Sequence, residues 1–171
     1  MVNEVVASTD SNTELTAEQK GQTRKYLIFK LNDNQYGVPL SEVKEVIGLP
    51  PCTFVPGSPE YFLGLINLRG RVISAIDLRS KMGVDSSSRN MKRPAVIITD
   101  IGEITLGCVV DSISEVMSIG KDQIDSHLEV KVNGDSEFIK GIARFPDRSM
   151  ILILDLKHAV DVSDLIRHRA G

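Results

Sequence analysis

Residues 37–47 (GVPLSEVKEVI) return as residues 107–117 (GCVVDSISEVM) at an offset of 70, with Gly, Glu and Val kept and four other pairs apolar in both. Further landmarks repeat in the same order. Gly64-Leu65-Ile66 is echoed by Gly141-Ile142-Ala143, and residues 72–79 (VISAIDLR) by residues 150–157 (MILILDLK). The chain therefore carries one module twice, at about 24–84 and about 93–158. A module of roughly 60 residues buries only about 60% of its unfolded surface and is marginal alone. Two copies are expected to share one core, as pseudo-equivalent lobes with a groove between them and two free ends for partners.

Strand and turn signals recur at short spacing. Residues 25–31 alternate, Asn32-Asp33-Asn34 supplies turn chemistry, and residues 35–38 return. In the second copy residues 95–99, Asp100-Ile101-Gly102 and residues 103–110 repeat the hairpin. After each hairpin, apolar residues three or four apart (Leu40, Val43, Val46/Ile47; Val110, Ile113, Val116/Met117) predict a turn or two of helix. Pro50, Pro51, Pro56, Gly57 and Pro59 interrupt regular structure before strands at 62–68 and 72–77 and a short helical start at 78–82. Residues 85–90 read as an exposed linker and 120–135 as a polar excursion. Strands at 139–145 and 150–155 follow, joined by a turn at 146–148, and a bent C-terminal helix spans 156–169. The pattern is all-β, of small barrels with short connecting helices, and not a parallel α/β sheet.

Charge separates the chain into two parts. Residues 1–23 hold Glu4, Asp10, Glu14 and Glu18 against Lys20, and the remainder is balanced, with 19 acidic and 19 basic residues. A neutral body without Trp lacks the basic stripe and stacking platforms of a nucleic-acid binder. The acidic segment 1–22, rich in Ser, Thr, Asn and Glu, is expected to be disordered. No segment approaches the roughly 20 apolar residues of a membrane span, and the N-terminus has no basic n-region of a secretory signal, so a cytoplasmic protein is expected. Cys52 and Cys108 form neither a CxxC nor a disulfide framework. Cys108 sits in an apolar strand pattern, whereas Cys52 lies in the proline-rich loop.

Catalytic and metal constellations are missing from the pattern. His127, His158 and His168 lack metal-ligand spacing, and there is no phosphate loop or nucleophile elbow. Asp77 and Asp155 each end an apolar strand and open a helical turn, which is where an Asp caps free N–H groups. Asn67 and Gly70 frame a four-residue stretch with the signature of a type I turn, placing Arg69 at a hairpin tip.

Residues 64–79 (GLINLRGRVISAIDLR), with residues 36–47 upstream, resemble the signature of the CheW family of bacterial chemotaxis coupling proteins. The Asn67-Leu68-Arg69-Gly70 and Asp77-Leu78-Arg79 runs carry that resemblance, which covers about residues 24–158. It implies two five-stranded antiparallel SH3-like barrels around a shared hydrophobic core. It also implies a non-catalytic scaffold without cofactor or metal, linking the cytoplasmic hairpin tip of chemoreceptors to the regulatory domain of the histidine kinase CheA. Such a protein is recruited to membrane-bound receptor arrays without inserting into the membrane. By match of motif the receptor-facing residues are Val43, Glu45, Gly64, Arg69 and Val116, while Asn67, Gly70, Asp77 and Asp155 serve as turn or cap residues. A free-standing coupling protein is expected in preference to the C-terminal domain of CheA or the front of CheV, because no receiver follows Gly171. The alternatives are an adaptor of a pilus or other non-flagellar chemosensory pathway and, from a different class, a small-barrel ligand or nucleic-acid module.

Overall fold

The computed structural model describes residues 22–84, 93–126, 138–146 and 150–160. The first copy supplies β1 (Thr23–Leu31), β2 (Asn34–Pro39), β3 (Glu45–Gly48), β4 (Phe62–Leu68), β5 (Arg71–Asp77) and the single-turn helix α1 (Leu78–Lys81). The second supplies β6 (Ala95–Ile101), β7 (Ile104–Val110), β8 (Ser112–Gly120), the two-residue β9 (Ile124–Asp125), β10 (Ile139–Ala143), β11 (Ile151–Leu154) and α2 (Leu156–Ala159). The expected acidic segment 1–22, apart from its last residue, the linker 85–90, most of the 120–135 excursion and the C-terminal helix beyond Val160 lie outside the described residues.

The lobes are not the copies. One sheet runs β8-β1-β2-β11-β10-β9 and the other β3-β6-β7-β5-β4. The first sheet therefore joins the first hairpin of the first copy to the last four strands of the second, and the second sheet joins the first hairpin of the second copy to the last three strands of the first, so that the duplicated halves exchange strands. All pairings are antiparallel except one per sheet: β2 lies parallel to β11, and β7 parallel to β5. The expectation of wholly antiparallel barrels is corrected in that one pair of each sheet, which joins a hairpin of one copy to strands of the other on one side, as the antiparallel β1–β8 and β3–β6 pairings do on the other.

Alternation along the strands sorts side chains into three cores. From β1, Tyr26 and Ile28 enter the first barrel with Ile119, Ala143, Ile151 and Ile153. Leu27, Phe29 and Leu31, on the opposite face, join Tyr36, Val38, Ile76, Ile97, Leu106, Cys108 and Leu154 between the sheets. The second barrel holds Ile66, Ile73, Ala75, Val96, Ile98 and Val109. This shared central layer explains why two marginal modules form one unit. Burial pushes the Cys108 thiol up to about 12, as befits a small core side chain.

The duplicated glycines mark close approaches. Gly37 and Gly107 face the barrel interiors, where a Cβ at Gly107 would come 2.7 Å from Val96 Cγ1 and one at Gly37 would come 3.1 Å from Ile28 Cδ1. Gly64 and Gly141 sit at the same bulge in each copy. There a further extended segment crosses the strand: Thr53 bridges Leu65, and β9 pairs with β10.

The segments after the hairpins differ from the predicted helical turns. Residues 40–42 form a single 3-10 turn, after which β3 begins. Residues 112–120 form the nine-residue strand β8 on the edge of the first sheet. A bulge explains the misleading periodicity: Ile28 pairs with Glu115 but Phe29 with Ile113, so Ser114 is the extra residue and the period of two is broken.

Candidate protein interaction site

The β4–β5 hairpin closes at Leu68↔Arg71, leaving Arg69 and Gly70 as a two-residue tip. Both have positive φ, 50° and 84°. Two positive central residues define a type I′ turn, which suits the right-handed twist of a hairpin, so the expected type I turn is corrected. Asn67 Oδ1 accepts a hydrogen bond from Gly70 N at 2.8 Å. Gly70 adopts this geometry freely, whereas an arginine in the left-handed region costs roughly 1 kcal/mol.

That strained tip brings together two residues singled out in the sequence. Arg69 Nη2 donates to Glu45 Oε2 at 2.7 Å. Glu45 opens β3 and Arg69 directly follows β4, and these are the two edge strands of the second sheet. The pair thus clasps the edges of one barrel. Arg69 is 78% exposed and Glu45 27%, so the clasp contributes at most about 1 kcal/mol to folding. A guanidinium held by one carboxylate still has donors free in number to meet another.

The sheet that carries the clasp also exposes apolar side chains not anticipated from the sequence. Val46, beside Glu45, is exposed, as are Val72, opposite Asn67 on the hairpin, and Phe54, next to the Thr53–Leu65 bridge. Phe54 is the most open large apolar residue among those described, at 70%. Lys44 pairs with Asp100 at 2.7 Å. Hydrogen bonds from Lys44 and Thr105 hold the Asp100 carboxyl below the usual carboxylate range. Exposed apolar side chains interspersed with charged ones suit a protein partner.

The remaining candidates are placed differently. Val43 is half-buried against the central core, where its amide closes the 3-10 turn on Leu40 O. Gly64 has φ 135°, and a Cβ there would meet Thr53 O at 2.2 Å, so its lack of a side chain is a condition of the fold. Val116 is exposed but lies on β8, in the other sheet from the Glu45–Arg69 clasp. Asp77 Oδ1 accepts from Arg79 N and Ser80 N at 2.9 and 3.3 Å, and Asp155 Oδ1 from Lys157 N and His158 N at 3.0 and 3.4 Å. Both side chains occupy the N-cap of their short helix.

Sequence reasoning did not single out two ionic junctions where the chain passes between sheets. Arg79, fully buried, donates from Nη1 to both oxygens of Asp111 at 3.0 and 3.1 Å, and Asp111 Oδ2 also accepts from Asn32 N at 2.7 Å. At the other passage, Lys140 Nζ lies 2.9 Å from Asp155 Oδ2 and 3.4 Å from Glu42 Oε1. Burial pushes the Asp155 carboxyl up, but bonds from Lys140 and His158 outweigh it and hold the group at about 2. Among the described residues, no cluster of His, Cys, Asp and Glu is arranged to hold a metal ion, and no helix is long and apolar enough to cross a membrane.

A family profile described as CheW-like domain matches residues 25–163. The chain is 32% identical over 141 residues to the chemotaxis protein CheW of Klebsiella aerogenes, covering 82% of this chain and 83% of that protein. With the chemotaxis protein CheW of Bacillus subtilis it shares 29% identity over 147 residues, covering 86% and 92%. The crystal structure of the scaffolding protein TtCheW from Thermoanaerobacter tengcongensis superposes with a TM-score of 0.72 at 32% identity, covering 84% of this chain and 91% of that one.

Proposed function

The chain belongs to the CheW family, and from that premise we propose that it is a non-catalytic chemotaxis scaffold that couples the cytoplasmic tips of chemoreceptors to the histidine kinase CheA. The observation that carries the receptor half is the Glu45–Arg69 clasp. An arginine at a left-handed turn position, where glycine or asparagine would be easier, holds an exposed guanidinium on the sheet that also exposes Val46 and Val72. A receptor tip is a helical hairpin, and a helical rod docks through apolar anchors with charge-assisted contacts at the rim.

The kinase half rests on architecture. Each barrel ends in loops and edge strands that suit a homologous barrel, and the regulatory domain of CheA is expected at one such end. A standard interface buries about 800 Å² on each partner, which one barrel of this size barely offers, so affinity is moderate. The protein works in the cytoplasm and reaches the membrane through receptors. Calorimetry with the cognate CheA regulatory domain and with a receptor cytoplasmic fragment tests both halves. Binding to each at micromolar concentrations, with the two partners accommodated together, is expected. No binding of the kinase domain at tens of micromolar overturns the proposal.

A further inference from the structure

We propose that Lys140 is a positioning residue for the Glu45–Arg69 clasp, a role that rests on the reading of that clasp as receptor-facing. Lys140 belongs to β10 in the first sheet, whereas Glu45 and Arg69 belong to the second. What links them is the passage of the chain from Pro39, the end of β2, to Glu45, the start of β3. Glu42 stands in the middle of that passage, three residues before Glu45.

Glu42 is held from both sheets. Its carbonyl accepts from Thr99 Oγ1 of β6 at 2.7 Å, and its carboxylate meets Lys140 Nζ of β10 at 3.4 Å. Lys140 is itself anchored by Asp155, the cap of α2, at 2.9 Å. A chain of contacts therefore runs from α2 through Asp155, Lys140 and Glu42 to the first residue of β3. Lys44 N follows by donating to Ile98 O at 2.8 Å, which fixes the register in which Glu45 pairs with Ile98 and faces Arg69.

This tether is the yielding kind. The Glu42 contact is long, Lys140 is nearly half exposed, and Glu42 Oε2 is buried without a hydrogen-bond partner. A lysine shared by two carboxylates is a mobile point charge and not a fork. A carboxylate with one orphaned oxygen gains little from staying in place once its cation is gone. Removing the ammonium releases the passage and lets the start of β3 shift relative to the hairpin tip.

The test uses the full-length protein with Lys140→Met and, separately, Glu42→Gln, which leaves the Lys140–Asp155 pair intact. Hydrogen exchange at Val43 and Lys44, whose amides are bonded to Leu40 O and Ile98 O, reads the passage directly. Both variants should speed exchange there by about tenfold while Cys108 in the central core stays protected. Affinity for a receptor cytoplasmic fragment should fall roughly fivefold in Lys140→Met, and that loss should vanish in a Glu45→Gln background. Unchanged exchange at Val43 and Lys44, or exchange raised equally at Cys108, overturns the tether. Faster local exchange with full receptor affinity, or a loss that persists without Glu45, overturns the positioning role. If Arg69→Glu itself spares receptor affinity, the receptor reading fails, and the tether stands or falls on exchange alone.

Discussion

At Asp111 the chain passes from the second sheet to the first beneath a buried guanidinium that grips both carboxylate oxygens; at Glu42 it passes the other way beside a half-exposed ammonium that grips one. The two passages occupy equivalent places in the duplication, yet no charged residue is common to them. Asp111 replaces Ser41, Lys157 replaces Arg79, and Lys140 has Leu63 as its counterpart. What recurs in both copies is what any small barrel needs: interior glycines, a bulge and an aspartate cap. What has diverged is the rigidity of each passage and the hairpin tip, with Asn67-Leu68-Arg69-Gly70 in one copy and Arg144-Phe145-Pro146-Asp147 in the other. The rigid passage underlies the fold, and the softer one leads to the clasp.

The largest effect should come from the rigid passage. Arg79→Met strands Asp111 without its cation and should cost about 3–5 kcal/mol in urea unfolding, against about 1 kcal/mol for Lys140→Met. Equal costs would erase the distinction between the passages. A second contrast sets the duplicated bulges against each other. Gly64→Ala must accept φ 135° and a carbonyl at 2.2 Å and should cost about 3 kcal/mol, while Gly141→Ala, without the positive φ, meets Ile124 Cγ2 at 2.7 Å and the Asp125 carbonyl at 2.9 Å and should cost about 2 kcal/mol. A milder cost at Gly64 would return that position to the list of binding residues.

Acid sharpens the comparison from the soft side. Because the folded Asp155 carboxyl titrates at about 2, below its unfolded value, its contribution is present above about pH 4 and is lost as pH falls through 2. With screening at the half-exposed Lys140, about 1–2 kcal/mol should disappear in that window. Asp155→Asn, which keeps a capping side chain, should flatten that part of the profile. The smallest effect belongs to the tip. Arg69→Gly relieves the left-handed strain and loses a surface ion pair, so stability should stay level or rise by about 0.5 kcal/mol. A loss above about 1 kcal/mol would show that the clasp holds the barrel shut.

Much of the fold was legible because its signals are local. β4 occupies the residues expected from its alternation, and Asp77 and Asp155 stand where a cap is needed. The exchange of strands was not legible, because strands of equivalent copies carry the same pattern and only register in space decides which hairpin joins which sheet. β8 was misread because a single bulged serine gave a strand the spacing of a helix. Arg79 was visible in the motif, but its burial against Asp111 was not, since that partner lies 32 residues away and nothing around it marks an arginine for burial. The candidate site was half visible. Glu45 and Arg69 came from the motif, but their contact, the positive φ of Arg69 and the exposed Val46, Phe54 and Val72 are properties of the folded chain.

The most direct measurement takes Arg69→Glu and determines three quantities for the same protein: affinity for a receptor cytoplasmic fragment, affinity for the CheA regulatory domain, and the unfolding midpoint in urea. Receptor affinity should fall by about 2 kcal/mol, near thirtyfold, because a donor is lost and a carboxylate is added beside Glu45. Kinase affinity should move by less than about 0.5 kcal/mol, and stability by about 1 kcal/mol from the new like-charge contact. Equal loss of both affinities, or a collapse in stability, would make the clasp a structural fastening and contradict its assignment to the receptor.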